Sequence, residues 1–200
     1  SRVGGLELGL VPGEGGLDAG AMLDGGVEIM FLLGADELDF TKKTAGFTVY
    51  IGTHGDNGAH HADVILPAAT YTEKSGTYVN TEGRVQMANR AAFAPGEARE
   101  DWAVLRALSE VLGKKLPYDS LTALRAALYA EYPHFAEIDT ISTADAGAIA
   151  AIAKKAGRMN KSAFASPVKD FYLTNPIARA SAVMAECSAL AKTARPVAAE

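Results

Sequence analysis

Hydrophobic positions follow two rhythms along this chain. In the first third they form short continuous runs. Val27 to Ala35 reads VEIMFLLGA and closes at Gly34, Phe47 to Gly52 (FTVYIG) repeats the shape, and Asp63 to Pro67 (DVILP) supplies a third run. Apolar runs of strand length without alternation are the pattern of strands buried on both faces. Strands recurring at this spacing, joined by helices or loops, predict a parallel α/β sheet. The connection DELDFTKKTAG between the first two runs is long enough for one or two helical turns, and Asp18 is placed to cap a short helix through Leu23. The first twenty residues are glycine-rich, but Leu6, Leu8, Leu10 and Val11 interrupt the glycines, so an ordered, loop-like lead-in is expected.

Beyond Thr77 the rhythm changes. TYVNTEGRVQMAN sets Tyr78, Val79, Val85 and Met87 around the turn pair Glu82-Gly83, which fits a hairpin-like or irregular excursion better than a helix. After Pro95-Gly96 the spacing becomes helical. AREDWAVLRALSEVLG puts Trp102, Leu105, Leu108 and Leu112 on one face, starts acidic at Glu100 and Asp101, and stops at Gly113. A second helix is expected from Ser120 to Ala130, with Leu121, Leu124 and Leu128 aligned and Pro133 closing it, and this helical pair should pack on the sheet. From Ile138 to Gly157 the chain is alanine-rich and helix-prone, with Ile149 and Ile152 as its large anchors. In the tail, Asn175-Pro176 is an N-cap followed by proline at the first helical position, with Ile177, Met184 and Cys187 on one stripe; Arg195 to Glu200 are expected to be disordered. The fold class is therefore α/β, a parallel sheet with flanking helices followed by a mainly helical C-terminal extension.

Composition narrows the chemistry. With 200 residues and 48% hydrophobic content the chain can bury one sizeable core and leave room for a smaller second unit. A net charge of -5 supplies no basic surface for nucleic acid or an anionic membrane. No apolar run approaches the roughly 18 to 20 residues needed to span a bilayer, and the start, with neither an initiator Met nor a signal-like segment, reads as part of something longer. The single cysteine, Cys187, excludes an internal disulfide. It also excludes an iron-sulfur cluster held by about four thiolates, and a cysteine-rich zinc site.

The densest polar constellation is THGDNGAHHAD, with His54, Asp56, His60, His61 and Asp63. Imidazoles and carboxylates so close suit a divalent ion. Their spacing matches no helical His pair, because Gly55 and Gly58 are expected to break any helix; the other reading is a glycine-rich turn with His54 and Asp56 bonded to local backbone. Gly34, Gly52 and Gly55 belong to loops at the carboxyl ends of strands, where open α/β sheets bind ligands, yet neither glycine-rich phosphate-binding motif is present. Glu73 with Asn80, Glu82 and Arg84 is a set able to orient a ligand, with Glu73 a general base if buried. The same carboxylates, amide and guanidinium can satisfy one another in an irregular segment, and this structural reading is favoured. Cys187 reads as a small buried hydrophobe, and no G-x-S-x-G elbow suggests a hydrolase.

LGADE, THGDNGAHHADVILPAATYTEKSGTYVNTEGRVQ, APGEAREDWAVLRALSEVLG and LPYDSL together resemble the large iron-sulfur subunits of respiratory complex I, the proton-pumping NADH:quinone oxidoreductases. The tail VKDFYLTNPIARASAVMAEC is similar to the C-terminal end peculiar to those subunits, and the string ADVILPAA…E…GT..N.EGR is shared with the wider molybdopterin oxidoreductases. The resemblance covers the chain from about Val3 to Lys192. His60 and His61 depart from the family pattern, where proline or apolar residues are common, which weakens any His metal site.

The resemblance implies a molybdopterin-oxidoreductase-like α/β portion over residues 1–133 and a subunit-specific region over 134–200. It implies 2Fe-2S and 4Fe-4S clusters in an N-terminal region lying outside this sequence, and none within it. It further implies the other peripheral-arm subunits as partners, on the cytoplasmic side of a bacterial inner membrane or, alternatively, the matrix side of the mitochondrial one. No catalytic, cofactor-binding or metal-binding residue is expected here: Glu73, Asn80, Glu82 and Arg84 become an inherited frame. Two other readings stand beside this one. One is a pterin-binding fragment of a molybdenum or tungsten oxidoreductase. The other is a metal-binding module using His54, His60 and His61.

Overall fold

The computed structural model describes residues 2–42, 46–155, 157 and 159–193. Lys43, Thr44 and Ala45 of the expected helical connection, and the expected disorder at Arg195 to Glu200, lie outside the described residues. The chain forms two compact units, Ser1–Thr140 and Ile141–Glu200.

The first unit is built on a three-stranded parallel sheet, ordered β1 (Ile29–Leu33), β2 (Phe47–Gly52), β3 (Val64–Pro67). Register pairs Phe31 with Val49 and Val49 with Val64. The central strand β2 holds three fully buried side chains, Thr48, Tyr50 and Ile51 at 0, 1 and 1% exposure. One face of the sheet packs Met30, Leu32 and Tyr50 against Leu23, Phe40 and Ala59. The other face packs Val49, Ile51 and Leu66 against Val104. Burial of β1 on both faces, as its unbroken apolar run predicts, is not observed. Met30 and Leu32 are buried, whereas Ile29, Phe31 and Leu33 are exposed. The cause is coverage: among the described residues β1 pairs with a strand on one side only, and the helix that packs on that face does so through Val104 over Val49, Ile51 and Leu66 of β2 and β3.

Local signals account for most boundaries. The Asp18 carboxylate accepts the Ala21 N–H at 2.8 Å and starts α2 (Ala19–Ala21), which runs on into a wider turn, Met22–Gly26. Ser120 caps α5 (Leu121–Glu131) through the Ala123 N–H, and Gly113 ends the turn after α4 (Asp101–Val111) at φ +74°. The glycine-rich lead-in proves helical at α1 (Arg2–Glu7). Val3 and Leu8 bring that segment onto the apolar cluster of Val79, Val85 and Phe135, and this packing overrides the low helix propensity of Gly4 and Gly5. The hairpin is β4 (Gly76–Val79) with β5 (Val85–Ala88), antiparallel. Of the two helices expected on the sheet, α4 packs there through Val104. By contrast α5 packs Leu128 and Tyr129 against the hairpin cluster. The face expected to hold four apolar side chains also carries Arg106, 9% exposed, whose Nε donates to Asp119 (2.9 Å) and Nη1 to Glu110 (2.8 Å). Leu105 and Leu112 of the expected stripe are exposed.

The second unit is helical: α6 (Ala146–Ala153), α7 (Pro176–Ala180) and α8 (Ala182–Thr193). Asn175 caps α7 through the Ala178 N–H at 2.9 Å, with Pro176 in the first turn. The single stripe of Ile177, Met184 and Cys187 is interrupted, because Ser181 adopts an extended ψ of 120° and separates α7 from α8. No helix among the described residues is long and apolar enough to cross a membrane.

Candidate functional site

All three parallel strands end on the same side of the first unit. Gly34 follows β1, Gly52 closes β2, and Gly55 lies three residues beyond it, with φ of +57° at Gly34 and +60° at Gly55 that permit sharp departures from the sheet. The loops there are joined by a residue that sequence reasoning passed over. Asp36, 4% exposed, accepts the Tyr50 hydroxyl at 2.9 Å and the Gly58 N–H at 2.8 Å, tying the segment after β1 to the segment after β2. Burial pushes the Tyr50 hydroxyl well above the ordinary phenol range, and its bond to Asp36 adds to the effect.

Gly58 does not break a helix, as its identity predicts. It sits inside the short helix α3 (Asn57–His60), where a Cβ would stand 2.9 Å from the Ala35 carbonyl oxygen and 2.8 Å from the Tyr50 ring. Close approach explains this glycine. The only sequence signal for the Asp36 tie was its position just after a strand end.

The histidines and aspartates of the 54–63 stretch are dispersed by this turn. His54 Nδ1 shares a hydrogen bond with the Thr53 hydroxyl at 2.7 Å, and not with backbone. His61 stacks on Phe40 with ring centroids 5.0 Å apart. Asp63 accepts the Thr48 N–H at 2.7 Å, while its own N–H donates to the Thr48 carbonyl at 2.8 Å, so it registers β3 on β2. Among the described residues no group of three or more His, Cys, Asp or Glu side chains converges on a metal position.

Glu73 and the other three polar groups of the 70–84 stretch are not brought together. The half-buried Glu73 closes its own turn: Oε2 accepts the Thr70 N–H at 3.0 Å and its N–H donates to the Thr70 carbonyl at 2.9 Å. Asn80 organises the hairpin turn, its Oδ1 accepting the Glu82 N–H (2.9 Å) and the Arg84 N–H (3.0 Å). Arg84 pairs with Glu82 at 3.3 Å on the surface, and Gly83 at φ +82° completes the reversal.

At the carboxyl ends of β2 and β3 lies a cleft of about 320 Å³, lined by Thr53, His54, Thr70, Glu73 and Glu97 together with apolar residues. It offers two carboxylates, two hydroxyls and one imidazole, and no ammonium or guanidinium group. One oxygen of Glu73 is already held by the Thr70 amide, so this arrangement stabilises a turn and presents a weakly acidic, hydrogen-bonding wall.

Comparison with known proteins adds to this geometry. The molybdopterin oxidoreductase family profile matches residues 1–111, and a second profile, describing the C-terminal region of an NADH-ubiquinone oxidoreductase subunit, matches residues 137–187. The NADH-ubiquinone oxidoreductase 75 kDa subunit of Reclinomonas americana is 47% identical over 163 residues, covering 82% of this chain and 23% of the relative. The mitochondrial 78 kDa subunit of Neurospora crassa is 41% identical over 203 residues, 98% of this chain and 26% of the relative. The NADH dehydrogenase [ubiquinone] iron-sulfur protein 1 of Solanum tuberosum is 40% identical over 198 residues, 96% and 25% respectively. The chain thus spans about a quarter of the length of the curated relatives it matches. With its first 111 residues matched by the family profile and a parallel α/β sheet beneath that match, this chain belongs to the molybdopterin oxidoreductase family.

Proposed function

We propose that the chain is an architectural portion of the large iron-sulfur subunit of a proton-pumping NADH:quinone oxidoreductase, carrying no redox centre of its own. The observation that carries this reading is the succession of two matches in one chain, a molybdopterin oxidoreductase profile followed by the profile of an NADH-ubiquinone oxidoreductase C-terminal region. The 2Fe-2S and 4Fe-4S clusters belong, on this reading, to other parts of the subunit, since Cys187 alone cannot supply about four thiolates. Its partners are the remaining peripheral-arm subunits. The location is the cytoplasmic face of a bacterial inner membrane, or the matrix face of the mitochondrial one.

The residues at the strand ends support a structural role. A pterin cofactor carries an anionic phosphate, and the cleft is lined by the carboxylates Glu73 and Glu97, with the neighbouring Arg99 guanidinium already paired to Glu97 at 3.4 Å. These residues do not fit that group, and the pterin-binding alternative is not favoured. In place of chemistry, Asp36, Glu73 and Asn80 satisfy backbone amides in the turns after the strands, and Asp63 holds a β2 amide where β3 begins.

The test is Glu73→Ala in the intact complex. Loss of the acceptor for the Thr70 amide should cost about 1 kcal/mol and lower the amount of assembled complex. NADH:quinone turnover per assembled complex should stay within about twofold of wild type, which corresponds to less than ~0.5 kcal/mol in the barrier. Turnover that collapses in fully assembled complex would refute the architectural assignment.

A further inference from the structure

Asn57 and Gly58 form the one Asn-Gly pair of the sequence. A glycine after asparagine opens the side-chain amide to attack by the next backbone nitrogen, because no Cβ hinders the approach. The attack forms a bond from that nitrogen to the side-chain carbonyl carbon, expels ammonia and leaves a cyclic succinimide. Water then opens the ring to aspartate or, with the chain rerouted through the side chain, to isoaspartate. The nitrogen must first give up its proton, and its peptide must be free to turn toward the side chain.

The fold opposes both steps. Asn57 is exposed, whereas Gly58 is buried. Gly58 lies in the first turn of α3, where an amide has no acceptor within the helix. Its N–H is donated instead to Asp36 at 2.8 Å, and Asp36 is itself fixed by the Tyr50 hydroxyl at 2.9 Å. A carboxylate beside this N–H resists loss of the proton, because a second negative charge would form against the first. The peptide is also boxed in, with the Ala35 carbonyl oxygen and the Tyr50 ring 2.9 and 2.8 Å from where a Cβ would stand.

We infer that Asn57 is a latent deamidation site, kept unreactive by the Asp36–Gly58 hydrogen bond and released only when the loops after β1 and β2 come apart. The conversion runs one way. Isoaspartate adds a methylene to the backbone at position 57, and the packing around Gly58 has no room for it, so the tie cannot close again. Asn57 thereby records opening of the strand-end loops as a permanent negative charge. The inference goes beyond the function proposed above and does not rest on it.

The experiment incubates the full-length protein in its native assembly at mildly alkaline pH and follows the peptide containing residue 57 by mass spectrometry, scoring amide-to-acid conversion and isoaspartate. Unfolding the same protein in urea should speed conversion about tenfold or more, and Asp36→Ala should do the same without urea. Tyr50→Phe keeps the acceptor but loosens it, so its rate should fall between Asp36→Ala and wild type, with Gly58 amide exchange rising in the same order. If Asp36→Ala fails to assemble, Tyr50→Phe decides the matter. Val79→Ala makes a cavity in the hairpin cluster, away from the tie, and should convert at the wild-type rate. Conversion of the folded wild type at the unfolded rate would overturn the inference, as would variants at Asp36 and Tyr50 that convert no faster than wild type. Acceleration by Val79→Ala equal to that of the tie variants would also overturn it, by assigning the protection to overall stability.

Discussion

The two units of the chain are held together by different forces. In the first, three apolar clusters centred on Tyr50, Ile51 and Val79 bury large side chains, and polar groups such as Asp36 are accessories that tie loops to that interior. In the second, the one buried side chain among the described residues is polar, Ser188 at 3% exposure. Its hydroxyl donates to Asp170 at 2.5 Å. The same carboxylate accepts the Tyr172 N–H at 3.1 Å and pairs with Lys192 at 3.1 Å. The bond from Ser188 holds the Asp170 carboxyl below the usual carboxylate range, with Lys192 contributing. The contrast teaches that helix content alone says little about what keeps a unit folded. One unit depends mainly on area removed from water, with charged groups such as Arg106, Glu110 and Asp119 at its edge; the other depends on a single charged hub.

The sharpest way to break the first unit is Ile51→Ala, which opens a cavity in the central strand. A loss of about 2–5 kcal/mol is expected in denaturant unfolding followed by Trp102 fluorescence, with amide exchange in α8 unaffected. Next come two changes at the loop tie, each expected to cost about 1–3 kcal/mol. Gly58→Ala forces a methyl against the Tyr50 ring and the Ala35 carbonyl. Tyr50→Phe removes a donor from buried Asp36. Tyr50 also gives the first unit an alkaline signature. Its folded pKa is raised, so its contribution is complete below the unfolded value of about 10 and is lost as pH rises through the folded value. A stability profile of Tyr50→Phe should lack that alkaline decline.

Asp170→Asn is expected to act on the second unit alone, raising amide exchange in α8 while the sheet keeps its protection. The sign is opposite to that of Tyr50. Because the folded pKa of Asp170 is lowered, its contribution is present above the unfolded value of about 3.9 and disappears as pH falls through the folded one. Protection factors in α8, corrected for the intrinsic exchange rate, should therefore fall in acid, and Asp170→Asn should remove that acid dependence. The smallest effect belongs to Glu82→Ala. Its pair with Arg84 is exposed, and a stability change within about 0.5 kcal/mol is expected by thermal melting.

Much of this organisation can be read from residue pattern, and the failures have physical causes. The three strands, the hairpin around Glu82-Gly83 and the caps at Asp18 and Asn175 depend on local composition, so they were legible. The helical lead-in and the exposure of β1 depend on what lies across from them, which no window of sequence contains. The candidate site divides the same way. Glu73, Asn80, Glu82 and Arg84 stood out because polar residues in an irregular stretch attract notice. Asp36, Arg106 and Asp170 did not, since a lone charge near a strand end or on a helix resembles a solvated side chain until its partners, 13 to 22 residues away, are in place.

After β3 the chain leaves for the hairpin and returns one rung away: the Ala69 N–H donates to the Arg99 carbonyl at 2.8 Å, and the Arg99 N–H donates to Pro67 at 3.1 Å. The intervening thirty or so residues thus hang from a closed clasp, much as a pendant hangs from its chain. Length can be added or trimmed between the two ends without shifting strand register in the sheet, because the clasp stays where it was. Drift in size among kindred proteins should gather between the two ends and outside the shared Asn80–Arg84 turn, and the rungs at Pro67 and Arg99 should keep their spacing.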